Sequence, residues 1–198
     1  MISRRLVAPS MALVLAVTLA ACGSDDTPSS SGTQAAGAST GESALNAADV
    51  EFAQGMIAHH EQAIEMAEIA LDPKVGASPQ VVDLATRIKG AQGPEVSLMT
   101  GWLNAAGEPV AMDASGGHNM SSMDGMMTTE QMASMAAMTG FDFDQTWLNM
   151  MIAHHQGAVA QAQAVKASGS STDVLALADQ IIAAQEAEIA EMKALLNG

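Results

Sequence analysis

Tyrosine is absent from the 198 residues, and phenylalanine and tryptophan together supply only five. Alanine, leucine, isoleucine and methionine carry the apolar fraction instead, a composition that favours helices over sheets. Basic residues are scarce: seven against 22 acidic ones, for a net charge of −15. That balance excludes nucleic acid as a partner and disfavours adhesion to anionic lipid. It leaves cations as natural ligands, or solubility alone as the reason for the charge. There is a single cysteine, Cys22, so no internal disulfide can form. No Gly-rich phosphate loop, nucleophile elbow or His-Glu-x-x-His motif occurs.

The N-terminus has the grammar of an export leader. Arg4 and Arg5 precede an apolar run from Met11 to Ala21 that is too short to span a bilayer, and Leu19-Ala20-Ala21-Cys22 follows. This tetrapeptide resembles the bacterial lipobox, whose cysteine sulfur receives a diacylglyceryl group before cleavage. Residues 1–21 are therefore expected to be a lipoprotein signal peptide and Cys22 the lipidation site. Losing the leader removes two of the seven basic residues and no acidic one, which takes the mature charge to −17. Residues 22–45, rich in Ser, Gly, Thr and Ala, read as a disordered tether that lets the domain stand off the membrane.

The remainder, 46–198, contains one unit twice. Asp49, Phe52, Met56 and His59-His60 align with Asp144, Trp147, Met151 and His154-His155. Further on, Gln92, Glu95 and Met99 align with Gln185, Glu188 and Met192. Apolar residues recur at helical spacing along both copies, so repeat one (48–104) and repeat two (142–197) each read as helix, turn, helix. Asp49 and Asp144 are the expected N-caps of the first helix in each repeat; Ser78 before Pro79 opens the second, and Ser171 or Thr172 opens the last. Four such helices predict an all-α four-helix bundle made of two hairpins. Gly93-Pro94 should kink or interrupt the second helix near Gly90. The connection 105–140 is too long for a simple bundle loop. It reads as a Met-rich loop followed by a short helix from Thr128, with Gln131 completing a capping box, through Met138.

Counting outward from each turn puts Gln92 level with His59 and Gln185 level with His154, about 12 residues from the turn in the first hairpin. His, Gln and Glu from all four helices thus share one layer. A buried imidazole without a partner costs about 1–3 kcal/mol, so four histidines need hydrogen bonds or a metal. Gln92, Glu95, Gln185 and Glu188 could supply the bonds from a second shell. Adjacent helical residues are also ~100° apart, so at most one histidine of each pair can aim at a central ion.

Eight of the 16 methionines lie between Met112 and Met138, together with His118. Thioether sulfur is a soft, neutral ligand that prefers Cu(I), and Met120, Met123, Met126 and Met127 are spaced to converge on one ion. Adaptable packing and a sink for oxidants are the alternatives. A ferritin-type di-iron centre lacks its carboxylates here, and zinc fits less well than copper.

The doubled Met-x-x-His-His at Met56–His60 and Met151–His155, with Gln92-x-x-Glu95 and Gln185-x-x-Glu188, resembles the ferritin-like bacterial family called domain of unknown function 305. The resemblance implies an up-and-down bundle, export, and in some members copper binding and resistance through Met and His; it implies no agreed enzymatic activity. The expectation is a membrane-anchored, extracytoplasmic protein that buffers, sequesters or confers resistance to a copper ion. Its candidate ligands are His59, His60, His154, His155, Met56, Met151, His118, Met120, Met123, Met126 and Met127. A homo-oligomer or a copper-handling protein is a possible partner. The alternative is a metal-free structural or interaction module with hydrogen-bonded core histidines, and a metal-dependent redox enzyme is a weaker third.

Overall fold

The computed structural model describes residues 44–111 and 123–198. The leader, Cys22, most of the tether, Met112, His118 and Met120 lie outside the described residues. Five helices follow in order: α1 (Ala47–Leu71), α2 (Pro79–Ala106), α3 (Thr129–Ala136), α4 (Gly140–Ser168) and α5 (Thr172–Asn197). No strand occurs among the described residues, and the architecture is the all-α, ferritin-like bundle. No described helix is long and apolar enough to cross a membrane.

Helices α1 and α2 form one hairpin, α4 and α5 the other, and the hairpins meet chiefly through α1 against α4. The helix starts explain the joint. Asn46, not Asp49, is the N-cap of α1; Asp49 sits at the third position of a capping box, accepting from the Asn46 amide at 2.9 Å. The same carboxylate reaches across to the start of α5, accepting from the amides of Ser170 and Ser171 and the Ser170 hydroxyl at 3.1–3.2 Å. Asp144 is likewise not a cap of its own helix, which starts after Thr139; it accepts from the Ser78 amide at the start of α2, at 3.2 Å. Each aspartate therefore caps the second helix of the opposite repeat. The two bonds place the start of α1 beside the end of α4 and the start of α4 beside the end of α1, so the pair is antiparallel about a pseudo-twofold axis. Burial alone would raise the Asp49 carboxyl, but the hydrogen bonds from Asn46, Ser170 and Ser171 outweigh it and hold it below its ordinary value.

Ser78 and Ser171 are the N-caps of α2 and α5. The Thr128–Gln131 capping box opens α3, which ends at Ala136, two residues before the expected Met138. The expected interruption at Gly93-Pro94 does not occur: α2 runs continuously through Pro94. Pro94 and Gly90 are both exposed, so the carbonyl that loses its proline-side donor faces solvent. The opposite face is held by buried Ile88, Gln92 and Met99.

The apolar interior is divided. One core gathers Met66, Leu84, Ile88, Met135, Phe143, Trp147, Met151 and their neighbours, and the Trp147 indole donates to the Met66 carbonyl at 2.9 Å. The other gathers Phe52, Met56, Met99, Leu103, Val165, Val174 and Ile181. Along each of the four long helices the chain passes from one core to the other, and the residues at the crossing are His59-His60, Gln92, His154-His155 and Gln185.

Candidate metal centre

This crossing is a buried polar layer. All four histidines are at most 1% exposed, Gln92 and Gln185 4% and 3%. The duplication sets its symmetry: His60 Nε2 meets Glu95 Oε2 at 2.7 Å, and His155 Nε2 meets Glu188 Oε2 at 2.7 Å. Each pair joins the two helices of one hairpin. Because the next residue on a helix is rotated by ~100°, the other histidine of each doublet points out of the hairpin and towards the other repeat. His59 and His154 consequently face each other, ring centroids 3.9 Å apart and tilted by 53°.

The inner pair is poorly satisfied. His59 Nε2 lies 3.3 Å from the Asp124 carbonyl oxygen and is its donor in the matching tautomer; His59 Nδ1 and both nitrogens of His154 have no partner among the described residues. Nor do His60 Nδ1, His155 Nδ1, Gln92 Oε1 or Gln185 Oε1. Burial pushes the His59 imidazole down to about 4, the neighbouring imidazoles adding to the effect against the Asp124 carbonyl. Burial likewise drives His154 well below the ordinary histidine value, helped by His59, His155 and His60. Both rings are thus neutral at pH 7, the state in which an imidazole binds a metal.

Over the layer runs a strap, residues 123–127. The Asp124 carbonyl lies so close to Gly157 that a Cβ there would sit 1.8 Å from it, and Gly125, at φ +84°, rests on the carbonyls of Ala153 and His154. Gln62 clamps the far end, donating to the Met127 carbonyl at 2.8 Å and accepting from the Met127 amide at 2.7 Å.

The candidate methionines are divided rather than gathered. Met123 lines a groove between the first half of α1 and the second half of α4, whereas Met127 packs on the core that contains Met66 and Trp147. Met126, half-buried, lies between them on the strap. Met132 and Met135 are core residues, and Met56 and Met151 are fully buried in different cores, one on each side of the layer. Sequence spacing put Met120, Met123, Met126 and Met127 on one ion; Met120 lies outside the described residues, and the Gln62 clamp and the capping of α3 draw Met127 and the residues after it towards one core.

Among the described residues no three His, Cys, Asp or Glu side chains stand together in a metal-holding cluster. What the layer offers is two neutral, buried, unsatisfied imidazoles with Met123 near the strap. Such donors fit a soft cation of low coordination number and do not fit calcium, magnesium or a four-ligand zinc site. Sequence reading missed Asp124, Gln62, Gly157 and Gly55. The signal was available in the repeat alignment, which sets Gly157 against Gln62 and Gly55 against Met150.

Comparison with known proteins agrees with this architecture. The profile of the family "domain of unknown function (DUF305)" matches residues 49–196. No curated protein matches the chain. A crystal structure of a DUF305 protein from Streptomyces coelicolor, classed as secreted, is similar at 30% identity and a TM-score of 0.70, over 76% of this chain and 92% of that one. A DUF305 fragment from Deinococcus radiodurans is 29% identical at a TM-score of 0.69, over 77% and 97%. CopM in its Cu(I)-bound form is 30% identical at a TM-score of 0.62, over 75% and 95%; Cu(II)-bound, silver-bound and apo forms of CopM are similar too.

Proposed function

The chain belongs to the family called domain of unknown function 305, and from that premise we propose that it is a soft-metal-binding protein that buffers or sequesters Cu(I) outside the cytoplasm. The observation that carries this reading is the His59–His154 pair: two neutral imidazoles facing each other in a layer that interrupts an otherwise apolar interior. Each unsatisfied buried polar atom costs about 1–3 kcal/mol, so the layer is a poor device for stability and a suitable one for a ligand. His59 and His154 would hold the ion. His60 and His155, each fixed by a carboxylate, would set the helices that present them, as partners behind a ligand commonly do. Copper and silver forms of CopM, a similar fold matched over 75% of this chain, support the choice of metal.

We read the role as storage or transfer rather than turnover, because His59 and His154 are at most 1% exposed and lie beneath the strap. The secreted relative supports an extracytoplasmic location. The Leu-Ala-Ala-Cys22 sequence supports a lipid anchor. Cys22→Ser should then release the protein from the membrane fraction; retention of that variant there would remove the anchor from the account.

Purified protein without a histidine tag should withdraw Cu(I) from a coloured chelator, and X-ray absorption at the copper edge should report nitrogen ligands. Chelator colour unchanged at excess protein would reject the reading. A metal-free envelope module remains the second reading, favoured by one observation: the His60–Glu95 and His155–Glu188 bonds engage one nitrogen of two of the four histidines without any ion.

A further inference from the structure

The two repeats differ where their helices should be equivalent. In the half of the α1–α4 groove that starts α4, Phe143, Trp147 and Met66 are fully buried beneath α3, and Met150 and Ile69 pack against the same core. The repeat-equivalent positions in the other half are Ala48, Phe52, Gln161, Gly55 and Ala164, each smaller or more polar. Among the described residues no helix covers this trimmed half. It is an open groove of about 390 Å³ whose inner wall is Met123, Asp124 and Gly157. Behind that wall the Asp124 carbonyl contacts buried His59.

We propose that the trimmed half-groove is the route by which a soft cation reaches the His59–His154 pair, and that residues 123–125 are the gate across it. The inference rests on the metal-binding reading for its cargo, but the gate is a property of the fold that can be observed without metal. Three observations carry it. The groove is made by small residues where the sister repeat has large ones, so its volume is specific to one side. It ends, among the described residues, on the strap, whose Asp124 carbonyl lies against the His59 imidazole. Among the described residues the strap is seated by a glycine contact that leaves no room for a methyl group and by the long 3.3 Å contact of the Asp124 carbonyl with the His59 imidazole, whereas the following residues are held by the Gln62 clamp and α3. Residues 123–125 can therefore lift while Met127 stays. Met123, whose sulfur lies 3.8 Å from where a Gly55 Cβ would be, lines the mouth with a soft donor.

Two substitutions bias the gate in opposite directions. Gly157→Ala places a methyl group on the Asp124 carbonyl, unseating the strap, while alanine favours the helix itself. Gly55→Met copies the sister repeat and fills the groove; its nearest neighbours are the flexible ends of Gln161 and Met123, which can yield. The probe is diethyl pyrocarbonate at pH 7 on metal-free protein, with modification of His59 and His154 followed by mass spectrometry and folding checked by circular dichroism. The expected result is modification about tenfold faster in Gly157→Ala and slower than wild type in Gly55→Met, as local opening governs access. Cu(I) association should shift in the same order. Equal modification rates in the three folded proteins overturn the gate, whatever their copper affinity. Shifted rates in proteins that take up no copper keep the gate and reject the metal reading.

Discussion

Gln62 and Gly157 occupy equivalent positions in the two repeats, and they hold opposite ends of one strap by opposite means. Gln62 clamps the backbone of Met127 with two hydrogen bonds, and Gly157 provides the gap into which the Asp124 carbonyl fits. Duplication placed one residue at each end, and divergence made one a hook and the other a hollow. Gln62→Ala removes both bonds, which should cost about 1–3 kcal/mol of local stability. Hydrogen exchange at the Met127 amide should accelerate accordingly, and unchanged protection there would show that α3 alone holds the strap.

Among the described residues neither ring nitrogen of His154 has a partner. A leucine of similar volume removes two orphaned polar atoms from the interior. His154→Leu should therefore raise the unfolding free energy of the metal-free protein by about 1–3 kcal/mol. Urea denaturation is the check, and a loss of stability would mean that the ring makes bonds in solution that compensate its burial.

Acid should weaken the metal-free fold through the same pair. His59 binds its proton near 6.5 when unfolded but only at about 4 when folded, and His154 is shifted in the same direction. Between those values the unfolded chain holds more protons. Stability is then complete above about pH 6.5 and falls as the pH drops towards about 4, by up to about 1.4 kcal/mol per histidine for each unit. Urea midpoints at about pH 7 and pH 5 should differ in wild type, and less so in the His59→Leu, His154→Leu protein.

The cross-repeat aspartates should differ in weight. Asp49 accepts from the Asn46, Ser170 and Ser171 amides and the Ser170 hydroxyl, Asp144 from the Ser78 amide alone. Charge-assisted bonds of this kind contribute about 1.5–3 kcal/mol, so Asp49→Asn should cost about 2–3 kcal/mol and Asp144→Asn about 1. Thermal unfolding of both variants checks the order, and equal losses would contradict it.

Much of this arrangement is legible in the chain. Helical periodicity and two hairpins with arms of nearly equal length suffice to put Gln92 beside His59 and Gln185 beside His154, because a constant rise per residue converts counting into height. The ~100° step explains why only one histidine of each doublet reaches the centre. Other features are not local and could not be counted. Asp49 and Asp144 look like N-caps of their own helices, but Asp49 is the third residue of a box capped by Asn46, and both carboxylates accept from amides more than 60 residues away. Pro94 looks like a break, yet it faces solvent on a helix whose other side is anchored in the core. Among the described residues the methionines of the connection do not share one location, because a glutamine clamp and a capping box direct Met127, Met132 and Met135 to one core while Met123 lines the groove.

The central claim is that the facing imidazoles of His59 and His154 bind a soft cation. Its most direct test is competitive Cu(I) titration of the untagged wild-type protein beside the His59→Leu, His154→Leu variant, with matched folding verified. The account predicts that affinity falls in the variant by more than the ~10–100-fold that loss of a partner behind a ligand costs. An affinity equal to that of wild type would contradict it.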